Sequence, residues 1–191
     1  PEVIDYQAEL ALAAHRAGYT AIAADNLAFT NFKEFNACGV WREDGSWHQL
    51  FSGAETDDAF ARATVQWAEL FRAAVRKKTN GHMRLVINFS ARASSGNGGS
   101  TPLVASLSNA TDGILDEFGF VNIEAQLGPT DWLDKVRWME RLGQHGVAYY
   151  SNNYLPGNLS RQLPQAGVEW ALASYCMGWS SHSSLLVTPW R

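Results

Sequence analysis

Thr20-Ala-Ile-Ala-Ala-Asp25-Asn26 and Asp112-Gly-Ile-Leu-Asp116-Glu117-Phe118-Gly119 are the stretches on which the fold turns. In each, a short apolar run ends at a carboxylate, with a helical pattern before it and a long segment after it. Such a run, bounded by turn residues, reads as a buried strand. In β/α proteins, ligands sit beyond the C-terminal ends of parallel strands, where the connecting loops are free to vary. Two acids delivered to that rim from different strands suit acid/base work on a glycosidic bond. A strand-end aspartate serves equally well as a helix cap or loop anchor, so residue type alone does not assign the role.

The pattern repeats outward from these stretches. Leu10, Ala13, Ala14 and Ala17 share a helical face over about Ile4–Ala17, which ends at Gly18. After the first strand, about 30 residues rich in Asn and Gly run to Thr56, and segments of that length are usually functional. Thr56-Asp57-Asp58 opens a second helix that closes on Arg76-Lys77-Lys78, and both ends suit the helix dipole. Further strands are expected at Arg84–Phe89, Gly113–Phe118, Val147–Ser151 and Ser184–Thr188. Ser94–Ser100 reads as a flexible loop, Asn152–Gly157 as a turn-rich loop, and helices are expected from Thr130-Asp131 and over about Pro164–Met177.

Connections from helix to strand are brief and those from strand to helix are long. This asymmetry predicts a β/α repeat working at its strand C-termini, and it favours an α/β fold of the (β/α)8 TIM-barrel type. Five strands are legible, so residues 1–191 read as the C-terminal part of one barrel domain, strands four to eight, with about three β/α units upstream. The chain opens at Pro1 on a helical pattern, as a piece of a longer protein would, and any leader would lie upstream. An open piece of barrel is expected to fold poorly or be inactive alone, because its edges and interior are uncovered.

Composition narrows the chemistry. A net charge of -4, with scattered Lys and Arg, gives no footprint for nucleic acid. No apolar run approaches the roughly 20 residues of a membrane span, and no membrane partner is expected. The five histidines and two cysteines show no metal-type spacing, so neither a metal nor another cofactor is expected. No Gly-x-Ser-x-Gly elbow marks a serine nucleophile, and no strand-end lysine suggests a Schiff-base aldolase.

Alternation along the strands places Asp25 with Ala21 and Ala23, and Glu117 with Gly113 and Leu115, leaving Asp116 on the opposite face. Small residues beneath Glu117 favour it over Asp116 for the barrel interior, though the reverse choice stays open at this level. Apolar neighbours favour a protonated carboxyl, and Phe118 and Phe120 make Glu117 the candidate general acid. Asp25, beside the amide of Asn26, is the candidate nucleophile or base. Asn26, Asn88, Asn152, Asn153 and Tyr154 are candidate substrate contacts at the same rim, with Ser90 beside them as a further neutral donor and acceptor suited to hydroxyls. Trp41 and Trp47 flank Asp44-Gly45 as the sides of a hairpin tip, suited to sugar stacking or to loop packing.

Gly18-Tyr-Thr-Ala-Ile-Ala-Ala-Asp25-Asn26, Asp112-Gly-Ile-Leu-Asp-Glu117-Phe-Gly and Val147-Ala-Tyr-Tyr-Ser-Asn152-Asn153-Tyr together resemble the glycoside-hydrolase-like TIM barrels. The resemblance is to the hypothetical glycosyl-hydrolase-like family fifteen and, more distantly, to the endo-α-1,4-polygalactosaminidase group, and it spans nearly the whole chain. It implies that Asp25 ends strand four and Glu117 strand six, and that the substrate is an α-linked polysaccharide or glycan. The alternative is a noncatalytic carbohydrate-binding barrel using the Trp41/Trp47 loop and the Asn-rich rim.

Overall fold

The computed structural model describes residues 2–30, 38–51, 57–91, 101–122, 125–156 and 163–190. The expected Thr56 cap and Ser94–Ser100 loop lie outside them. Helix α1 (Glu2–Arg16) leads into β1 (Ala21–Ala24), followed by a hairpin of β2 (Gly39–Trp41) and β3 (Trp47–Gln49). Then come α2 (Asp58–Lys78), β4 (Arg84–Asn88), α3 (Pro102–Asn109), β5 (Gly113–Asp116) and the two short strands β6 (Val121–Asn122) and β7 (Ala125–Gln126). The chain finishes with α4 (Pro129–Gln144), β8 (Ala148–Pro156), α5 (Gln165–Met177) and β9 (Ser183–Trp190). No described helix is long and apolar enough to cross a membrane.

Strands β1, β4, β5, β8 and β9 form a five-stranded parallel sheet in chain order, and the fold is α/β. Among the described residues, β1 pairs only with β4 and β9 only with β8, so the sheet is open. Short returns from helix to strand are made by Gly18 (φ 96°) and Gly146 (φ 68°), whose backbone a side chain would strain. Asp57 caps α2, accepting from the Ala59 and Phe60 N–H groups at 2.9 and 3.1 Å.

The main core lies on one face of the sheet. Ile22, Ala24, Leu85, Ile87, Ile114 and Tyr149 pack there with Ala61, Val65, Ala68 and Phe71 of α2 and with Val136, Trp138, Met139 and Leu142 of α4. At the N-terminal end of β5, Asp112 accepts from both Arg72 and Arg76 at 2.6 Å and from the Leu85 N–H at 2.9 Å, tying α2 to two strands. Burial opposes the charge of Asp112, but Arg72, the Leu85 N–H and Arg76 outweigh it and hold its carboxyl below the usual range.

The other face is the unusual one. Ala21, Ala23, Val86, Leu115, Tyr150 and Leu186 line an apolar trough of about 550 Å³. Residues of β1 and β9, at opposite edges of the sheet, border the same space, so the sheet curls around it. Gly113 is part of this inner wall: a Cβ there would stand 3.2 Å from the Tyr150 ring and 3.3 Å from the Ala148 Cβ. Parallel sheets normally bury both faces.

Two local departures from expectation bear on the site. β8 runs on to Pro156, so Asn152, Asn153 and Tyr154 are strand residues and not a loop, because β9 pairs alongside as far as that point. β5 is interrupted: Asp116 pairs with Ser151 and Asn122 with Tyr154, so six steps along one strand face three along its neighbour. The surplus chain loops out, as in a bulge, and Glu117 is its first residue.

Candidate active site at the strand ends

Asp25 and Asn88 follow Ala23 and Val86 on the inner face, while Glu117 follows Leu115. Asn88 links the two acids. Its Nδ2 donates to Asp25 Oδ1 at 2.7 Å and to Glu117 Oε2 at 3.0 Å. Its backbone carbonyl accepts from the Leu27 N–H at 3.1 Å, which pins the turn after Asp25 to the same residue.

Each acid has a second anchor. Asn26 takes a left-handed backbone (φ 57°), a conformation that asparagine tolerates better than most side chains. The turn folds it back onto Asp25, with its N–H 2.9 Å from Oδ1 and its Nδ2 3.3 Å from Oδ2. Glu117 Oε1 accepts from the Tyr154 hydroxyl at 3.1 Å, and the Tyr154 ring lies against Phe118 with centroids 5.9 Å apart. Burial raises the Tyr154 phenol above its usual value, as do the hydrogen bond and the charge of Glu117, against a smaller opposing effect of Asn152. The phenol therefore keeps its proton at neutral pH. Asn152 borders the trough, and its Oδ1 is buried without a hydrogen-bond partner among the described residues, an open acceptor beside the acid pair.

Asp116 faces the helices and is fully buried. Its carboxylate accepts from Lys135 of α4, from the Tyr149 hydroxyl at 2.7 Å and from the Ser90 hydroxyl at 2.7 Å. Lys135 is also buried and reaches the Phe118 carbonyl at 3.2 Å, so it grips the chain on both sides of Glu117. Its sequence signal is its place on a buried stripe with Trp138 and Leu142, where a lysine requires an opposing acid. The sequence reading passed over Lys135 and Tyr149, and it set Ser90 among the rim groups, whereas the Ser90 hydroxyl turns to Asp116 on the helix side.

Asn153 does not reach the rim. It is fully buried, its Oδ1 accepting from the Phe120 and Val121 N–H groups at 2.6 and 3.2 Å, and its Nδ2 donates to Ser151 Oγ at 3.0 Å. The looped-out segment leaves those backbone donors without strand partners, and this side chain satisfies them. Beside it, a Cβ on Gly119 would lie 2.4 Å from Ser151 Oγ and 2.6 Å from Asn153 Oδ1, so any side chain there would displace this buried pair.

Trp41 and Trp47 are cross-strand partners on the β2–β3 hairpin, 5.3 Å apart edge to face and 71% and 38% exposed. Neither shares a hydrogen bond or ring contact with the acid network among the described residues. Asp44 closes the tip, accepting from the Ser46 N–H at 2.9 Å and its hydroxyl at 2.6 Å.

The structure thus gathers Asp25, Asn26, Asn88, Glu117 and Tyr154 into one hydrogen-bonded network with Asn152 alongside; Asn153 lies in the scaffold and the tryptophan pair on a separate hairpin. Among the described residues, no group of three or more His, Cys, Asp or Glu side chains is placed to hold a metal. No family model matches the chain, and a search of curated proteins finds no match.

Proposed function

We propose that the chain is the C-terminal part of a (β/α)8 barrel and that the barrel hydrolyses glycosidic bonds in an α-linked polysaccharide or glycan. Asp25 is the nucleophile or base and Glu117 the general acid. The observation that carries this reading is the double hydrogen bond from Asn88, which holds two carboxylates from alternate strands together at the C-terminal end of a parallel sheet. The apolar trough, left uncovered by the described residues, supports the barrel, since further β/α units would cover it and pair the edges of β1 and β9. The open Asn152 acceptor and the amide groups of the rim suit sugar hydroxyls. In the full-length protein, Asp25→Asn should abolish release of reducing ends and Glu117→Gln should cut it about 10²- to 10⁴-fold, with folding intact; undiminished turnover in either variant would refute the assignment.

A second reading rests on the exposed Trp41/Trp47 pair, which offers flat apolar rings to a sugar face without using the acids. Oligosaccharide binding that survives both acid substitutions, fails in Trp41→Ala, and comes with no product would favour it.

A further inference from the structure

Resting on the hydrolase reading, we propose that this site works with retention of anomeric configuration, through a glycosyl ester on Asp25. The spacing argues for it. Because the bonds of 2.7 and 3.0 Å meet at one nitrogen, Asp25 Oδ1 and Glu117 Oε2 lie no more than about 6 Å apart. The trigonal geometry of an amide nitrogen shortens that to about 5 Å. Inverting pairs stand about 6.5–9.5 Å apart to admit a water beside the sugar, whereas retaining pairs stand about 5–5.5 Å apart. Asn88 acts as a spacer, a positioning residue that sets the shorter distance.

The hydrogen-bond partners divide the roles. Among the described residues, every group bonded to Asp25 is an N–H donor, from Asn26 and Asn88, which suits an acceptor that remains a carboxylate. Glu117 instead meets a hydroxyl, which accepts when Glu117 holds a proton and donates once the proton has left. In the first step an Asp25 oxygen bonds to the anomeric carbon as the glycosidic C–O bond breaks, and the leaving oxygen takes the proton of Glu117. In the second a water oxygen attacks the same carbon, Glu117 takes its proton, and the ester bond breaks to return the Asp25 carboxylate.

The test uses the full-length protein with 2,4-dinitrophenyl and other aryl α-glycosides, following the first-formed sugar by proton NMR. The expected product is the α-anomer. A β-anomer would overturn retention and leave the hydrolase reading standing, whereas absence of hydrolysis across aryl glycosides and α-glucans or α-galactosaminans would overturn both. With Glu117→Gln, turnover of poor leaving groups should fall about 10²- to 10⁴-fold. Added azide should then yield the α-glycosyl azide, and with Asp25→Ala the β-azide. The reverse pattern would overturn the ester on Asp25.

Discussion

Asp116 and Glu117 are consecutive carboxylates with opposite surroundings. Asp116 is sealed beneath the sheet, where a lysine and two hydroxyls occupy its oxygens and leave nothing for a ligand. Glu117 stands at the rim with two neutral donors, one of them shared with a second acid. The pair shows how adjacent residues divide labour: one acid anchors the backbone beneath the sheet and its neighbour is left at the rim. A buried charge of this kind is costly to unpair, so the anchor also stiffens the segment that carries the rim acid.

The sharpest way to break this contrast is to neutralise each acid in turn. Glu117→Gln should lower kcat about 10²- to 10⁴-fold with the urea midpoint unchanged, and a shifted midpoint with intact kcat would reverse the assignment. On the buried side, Lys135→Met leaves Asp116 without its counter-charge and should cost about 3–5 kcal/mol in urea unfolding. Adding Asp116→Asn to that variant should recover much of the loss; a double variant no more stable than Lys135→Met alone would contradict the pairing.

A third carboxylate calibrates the other two. Asp112→Asn should cost about 1–3 kcal/mol at neutral pH, by analogy with buried hydrogen-bonded charges. Its folded carboxyl titrates below the ordinary 3.8, so the contribution is whole above that value and fades as pH falls through the lower folded value. Wild type and variant should therefore converge in stability at strongly acidic pH, and a gap that persists there would show that charge is not the source. Smaller still is the expected change at Tyr154, whose phenol titrates above 10.0. Glu117→Gln should move its ultraviolet titration part of the way down, leaving the larger effect of burial in place. An unmoved titration would place the Tyr154 hydroxyl away from Glu117.

Much of this arrangement was legible from residue order. Apolar runs ending at Asp25 and Glu117, with Gly18 closing the helix before the first, were enough to anticipate parallel strands and a rim. Alternation favoured Glu117 over Asp116, and the side chains lie as that argument would have them. Asn153 was misplaced because nothing in Asn152-Asn153-Tyr154 signals that pairing with β9 keeps the strand going, and adjacent asparagines then fall on opposite faces. That Asn88 bonds both acids at once needed the side-chain geometry, since 63 residues separate it from Asp25 along the chain and 29 from Glu117. The gathering around Asp116 draws on the segment after β4, on α4 and on β8, and only the lysine on an apolar stripe hinted at it.

Gly119 has a practical bearing on anyone who wishes to redesign the specificity of this rim. The loop after Glu117 is the natural target for a combinatorial library, yet at this position even alanine would drive a carbon into Ser151 and Asn153. A library that randomises the position would force the buried Ser151 and Asn153 side chains to shift in every member but glycine. Diversity belongs instead at Asn152, which borders the trough without holding either acid, and Gly119 should be held constant.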